Sequence, residues 1–88
     1  MQYIHSTLTL GNNDAIEVTL DRQARVMLMD QGNYSNYRSG RRFRFYGGWT
    51  KVSPCRVAAP HGGRWHVVVD LDGLAGSVRA RIGVISLN

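Results

Sequence analysis

Arg38, Arg41, Arg42, Arg44 and Lys51 fall within one fourteen-residue stretch, 38–51, that contains no acid. The stretch carries a charge of +5, equal to that of the whole chain, because the other six basic residues are balanced by six acids. Phe43, Phe45, Tyr46 and Trp49 are interleaved with these cations. Guanidinium forks match the oxygens of phosphate and carboxylate, and aromatic faces accept planar groups. Arg42, Arg44 and Tyr46 lie two apart, so on an extended chain they project from one face. Basic residues beside a stacking ring form the kind of platform that single-strand nucleic-acid binders use. The stretch therefore suits an anionic or aromatic ligand, a protein partner or a nucleic acid. A plainer use is a charged edge that keeps a strand from pairing with another molecule.

Other chemistries are less well served. Cys55 has His5, His61 and His66 as candidate bases for a hydrolase-type reaction, but it falls on the inward side of a strand, where a thiol behaves as a small apolar group. No serine stands in a G-x-S-x-G turn. The sequence thus offers no catalytic residue and reads as a non-enzyme. His61, His66 and Asp70 are the candidate metal ligands. His66 and Asp70 share a strand face but lie roughly 13 Å apart along it, too far for one ion, so no metal or cofactor is expected. Gly47-Gly48 and Gly62-Gly63 precede no helix and read as turns, not as phosphate-binding loops.

A binding surface would draw on three groups of residues. Asp30, Asn33 and Tyr37 come from a polar loop, and Arg41, Arg42, Arg44 and Tyr46 from the basic stretch. His61, His66, Asp70 and Arg79 complete it. Asp70 and Arg79 fall opposite each other if the last two strands form a hairpin, a cross-strand pair contributing roughly 0.2–1 kcal/mol and aiming Arg79 at the ligand.

The elements that must position these residues are short strands. Alternation of apolar and polar residues predicts strands over 3–10, 15–20, 24–30, 41–46, 49–52, 55–59, 64–71 and 78–87. The second and third are joined by a short polar turn and read as a hairpin. Segment 31–40 lacks an apolar stripe and strong helix formers, which leaves a loop with at most one short helical turn near Asn33–Ser39. Ile16, Val18, Leu20, Val26, Leu28, Phe43, Phe45, Val57, Trp65, Val67, Val69, Ile82 and Val84 are the expected core, with His66, Val68 and Asp70 on the opposite face of their strand. Seven or eight short strands with no amphipathic helix imply an all-β protein, an antiparallel two-sheet sandwich of jelly-roll type, with a partly open barrel as the alternative. Eighty-eight residues allow one domain, 1–88.

A single cysteine rules out an internal disulfide and fits a reducing, cytoplasmic compartment. The N-terminus lacks the basic and apolar regions of a signal peptide, and no apolar run reaches membrane-spanning length. So small a core gains from self-association, which makes a homo-oligomer an expected partner.

Several segments together carry a family resemblance: Y-I-H at the start, V-M-L-M-D-Q-G-N-Y-S-N-Y-R-S-G-R-R-F-R-F-Y-G-G-W in the middle, and P-H-G-G-R-W-H-V-V-V-D-L later. The chain is similar over nearly its whole length to a small bacterial domain family of unknown function. Its members occur as free-standing proteins and joined to Toll/interleukin-receptor-like (TIR) domains. The resemblance implies an all-β sandwich and supplies no reaction, cofactor or catalytic residue. It places Asp30, Asn33, Tyr37, Gly40, Arg41, Arg42, Tyr46, Gly47 and Gly48 in the family pattern, along with His61, Trp65, His66 and Asp70. Trp49 departs from that pattern, where histidine is the commoner residue. The association with TIR domains implies a sensing or targeting module.

Overall fold

The computed structural model describes residues 2–88 and arranges them as two antiparallel sheets with one helix. The strands are β1 (Ile4–Leu10), β2 (Asp14–Leu20), β3 (Ala24–Met29), β4 (Tyr46–Thr50), β5 (Cys55–Ala58), β6 (Gly63–Asp70) and β7 (Ala80–Ser86). Helix α1 (Gln31–Arg38) lies between β3 and β4. One sheet has the order β1-β6-β3-β4 and the other β5-β2-β7. Every connection except the one through α1 crosses from one sheet to the other, which is how a jelly roll is wound. The expected all-β sandwich is therefore present. The hairpins are not: β2 and β3 belong to different sheets, and so do β6 and β7.

Between the sheets lies the main core, in which Ile16, Val18, Val26, Leu28, Val67 and Val69 are fully buried. Leu20 and Ile82 pack against it half-buried, while Val84 is 46% exposed because β7 is an edge strand. A second, smaller core lies on the far face of the four-stranded sheet, where Met27, Met29, Tyr34 and Val68 are buried under α1. Val67, Val68 and Val69 all have no exposure, so both faces of β6 are covered. An unbroken apolar run is what such a strand requires. This corrects the expected place of His66 and Asp70 on a binding surface, since both are buried with Val68. Phe43 and Phe45 join this second core, half-buried, and not the core between the sheets.

The helix corrects the expectation of a single turn, since eight residues make just over two. Asp30 is its N-cap and accepts from the Asn33 N–H at 2.9 Å. Gly40, at φ 73°, follows the Ser39 C-cap in the left-handed conformation that ends many helices. Tyr34 and Tyr37, three apart, form the inward stripe. Weak intrinsic helix propensity concealed this element, because packing on the sheet supplies most of its stability.

The stretch 41–45 is not a strand. Two of its N–H groups bond to the helix, Arg41 to the Asn36 carbonyl at 2.8 Å and Arg44 to Asn33 Oδ1 at 2.7 Å. Alternation nevertheless survives: Phe43 and Phe45 turn inward, while Arg42, Arg44 and Tyr46 are exposed. Gly47-Gly48, expected as a turn, lies inside β4 with φ of 111° and 148°. A Cβ at Gly47 would strike the Val26 carbonyl oxygen, so only glycine lets β4 lie this close to β3.

Candidate functional site

Beneath α1 the outward face of β6 carries polar groups that tie the helix to the sheet. Asp70 is 1% exposed and accepts two hydrogen bonds from Arg25, Nε at 2.9 Å and Nη2 at 2.7 Å. Tyr37 donates its hydroxyl to the same carboxylate at 2.7 Å, and the Asp72 N–H adds another bond at 3.1 Å. Burial pushes Asp70 toward the neutral form, but the bonds from Arg25 and Tyr37 outweigh it and hold the carboxyl below its ordinary range. Burial, then the hydrogen bond to Asp70 and its charge, pushes the Tyr37 phenol well above its usual range. The partner of Asp70 is thus Arg25, directly across β3, and not Arg79. Arg79 stands on the approach to β7, where its N–H donates to Asp21.

A second polar row begins at Gln31. Its side-chain Oε1 accepts from His66 Nε2 at 2.8 Å, and His66 Nδ1 accepts from His5 Nε2 at 2.8 Å. His66 is then neutral with its proton on Nε2, and His5 also carries an Nε2–H. The Tyr34 ring lies parallel to both, 4.1 Å from His5 and 4.5 Å from His66. Burial, then the Arg38 cation, lowers the His5 pKa. Burial, then His5 and Arg64, lowers that of His66 against a smaller opposing pull from Asp30. Only one proton can lie between His5 Nε2 and His66 Nδ1, because two N–H groups cannot face each other at 2.8 Å. No buried polar side-chain atom among the described residues lacks a partner.

The expected surface residues meet elsewhere. A cleft of about 370 Å³ opens between the start of α1, the beginning of β4 and the beginning of β6. Asp30, Asn33, Arg44, Tyr46, His61 and Trp65 line it, with Met29 and Phe45 contributing apolar surface. Asn33 is fully engaged in shaping the wall, donating to Asp30 and accepting from Arg44. Tyr46 is half-exposed and meets Trp65 edge-on at 6.0 Å. His61 lies 5.0 Å from the same indole and donates Nδ1–H to the Gly62 carbonyl at 2.8 Å, leaving Nε2 as an acceptor. A larger hollow of about 430 Å³ lies at Tyr3, Ile4, Val69, Leu71 and Val78, but it is mainly apolar and gathers none of the expected residues.

Five of the eleven candidates, Asp30, Asn33, Arg44, Tyr46 and His61, thus line one cleft. Arg41 and Arg42 are exposed beside it on the stretch that runs back along α1. Tyr37, His66 and Asp70 are anchors of the helix, and Arg79 lies just ahead of β7 in the other sheet. Sequence reasoning missed His5, Gln31, Tyr34 and Arg25 as members of the polar rows. Arg25 shares a face with Met27 and Met29, and a lone cation on an apolar face was a signal that a buried acid would meet it. No cluster of three or more His, Cys, Asp or Glu residues among the described residues could hold a metal ion. No helix among the described residues is long and apolar enough to cross a membrane.

Fold and site together define a small all-β sandwich with one helix docked on its outer face and a polar, aromatic-walled cleft at the helix start. The chain belongs to the family described as Domain of unknown function (DUF1883), which it matches over residues 1–87. No curated protein and no solved structure matches it.

Proposed function

We propose that this chain is a non-catalytic binding module whose ligand occupies the cleft at the start of α1. The observation that carries the reading is the convergence there of Arg44, Asp30, His61 and Tyr46, each with hydrogen-bonding capacity that the fold does not consume. A cleft of this size falls in the range that holds small ligands, with apolar walls and a few convergent polar groups. The other polar groups serve the fold. His5 hydrogen-bonds to His66 and His66 to Gln31, and among the described residues no carboxylate, serine or cysteine hydrogen-bonds to either ring. Burial pushes the Cys55 thiol up, away from the reactive thiolate. A recognition module of this kind also suits the company of TIR domains and a reducing compartment.

A thermal-shift screen against chemically varied small ligands and short peptides tests the reading. A cleft ligand should raise Tm for the wild type and lose that effect in Tyr46→Ala and Arg44→Ala, both of which keep the unliganded Tm within a few degrees. Stabilisation that persists in both variants places binding elsewhere and overturns the assignment.

A further inference from the structure

We infer that the ligand of this cleft is single-stranded nucleic acid, with one base seated between Tyr46 and Asp30 and the neighbouring phosphates running along Arg44, Arg42, Arg41 and Arg38. The inference rests on the cleft being a binding site and adds the class of ligand. Its basis is a juxtaposition of two features that have no structural use for each other.

The first is a row of arginines. Arg38 lies in the last turn of α1, its guanidinium 5.8 Å from the Tyr34 ring centre. From there the chain turns at Gly40 and runs back along the helix, passing Asn36 at Arg41 and Asn33 at Arg44. Arg41, Arg42 and Arg44 are exposed, and among the described residues none of the four arginines is paired with a carboxylate. The row ends at the mouth of the cleft, which Arg44 lines. Four guanidinium groups in succession, none of them in an ion pair among the described residues, form a phosphate track.

The second feature is what the cleft offers at the end of that track. Asp30 Oδ1 is occupied by Asn33, which leaves Oδ2 as an acceptor. His61 Nε2 is a second acceptor, because Nδ1–H is bound to the Gly62 carbonyl. A carboxylate in the cleft repels a bare anion, so the phosphate belongs on the arginines outside and a neutral group with hydrogen donors belongs inside. Tyr46, half-exposed and edge-on to Trp65, presents a ring face for stacking. A nucleobase meets all three demands: it is planar, it is neutral, and cytosine, adenine and guanine carry amino donors that a carboxylate accepts. Thymine and uracil offer one ring N–H and no amino group. A base can enter only where it is unpaired, which selects single strands over duplex.

Fluorescence anisotropy with short labelled homopolymers, duplex DNA and heparin as competitors tests this. Wild type should bind oligo(dC) and oligo(dA) more tightly than oligo(dT), and single strands more tightly than duplex. With four phosphate contacts, affinity should fall about 50-fold between about 50 and 200 mM salt, and only about 7-fold in the Arg42→Ala/Arg44→Ala variant. Tyr46→Ala should weaken binding roughly 5- to 150-fold through loss of stacking. Asp30→Asn keeps an equally good helix cap and should erase the preference over oligo(dT). Heparin binding as tightly as any oligonucleotide, with Tyr46→Ala unaffected, would show a general polyanion surface and overturn the inference. No oligonucleotide binding, alongside a small ligand whose stabilisation needs Tyr46, would overturn it too and leave the cleft standing as a binding site. Failure in both assays removes the cleft as well.

Discussion

His66 shows how one residue joins the stability of this protein to pH. Its ring is 6% exposed, is hydrogen-bonded on both nitrogens and lies against Tyr34. Burial, then His5 and Arg64, depresses its pKa in the folded state, and burial, then Arg38, does the same for His5. Below the ordinary imidazole value of 6.5 the unfolded chain therefore binds more protons than the folded one. Stability contributed by the pair is fully present above about pH 6.5 and declines as the pH falls toward the folded values. Denaturant unfolding from pH 8 to 5 should show this fall, and His5→Gln, which retains a donor for His66 Nδ1, should flatten it. An unchanged slope in His5→Gln would exclude the pair as its source. A second loss on the same acid side belongs to Asp70. Its depressed carboxyl adds stability that is lost only in stronger acid, as the pH falls from its ordinary value of 3.8 through the folded one. At this scale the residue types were legible in the sequence and their partners were not. Asp70 was expected across from Arg79 and instead meets Arg25, because β6 neighbours β3 and β7 is in the other sheet.

Helix α1 and strand β4 are the elements that build the cleft, and each depends on a backbone feature. Asp30 starts the helix by capping the Asn33 N–H, and the same Asn33 holds Arg44 N–H, so the cleft wall and the helix start are one structure. On the other side, β4 reaches β3 only because Gly47 has no side chain to meet the Val26 carbonyl. Gly47→Ala combines that collision with φ near 111°, a conformation L-residues rarely adopt. It should cost upward of roughly 1–3 kcal/mol in denaturant unfolding and displace Tyr46, weakening any cleft ligand as well. Gly48→Ala, with open space around its Cβ but φ of 148°, tests the backbone conformation alone and should cost less. Equal effects would remove the close approach from the explanation. Sequence periodicity had 41–46 as the strand and Gly47-Gly48 as its end. The alternation it detected is real, with phenylalanines inward and arginines outward, but the hydrogen bonds go to a helix and the strand begins where the arginines stop.

For the whole molecule the consequence is three layers: a three-stranded sheet, a four-stranded sheet and a helix, with a core in each gap. Val67 and Val68 are neighbours on β6 that face different cores, and neither has any exposure. Replacing either with alanine should cost roughly 1–3 kcal/mol, from lost transfer energy and the cavity left behind. Were the helix layer only lightly attached, Val68→Ala would fall within about 0.5 kcal/mol of wild type, as surface changes usually do. For 88 residues total stability is of the order of 4–13 kcal/mol, so the second core is a substantial part of what holds the fold. Period-two alternation by itself determined that this is an all-β protein, which residues of each strand share a face, and that a basic, aromatic stretch is presented to solvent. Those are local properties, set by where successive side chains point. Only the tertiary structure decided which strands pair, what covers the second face of β6, and which polar residues are anchors and which line the cleft. The choice of a two-sheet sandwich over a partly open barrel came with it. Pairing and covering join residues tens of positions apart, such as Arg25 with Asp70 and His5 with His66, and no local pattern records a partner at that distance.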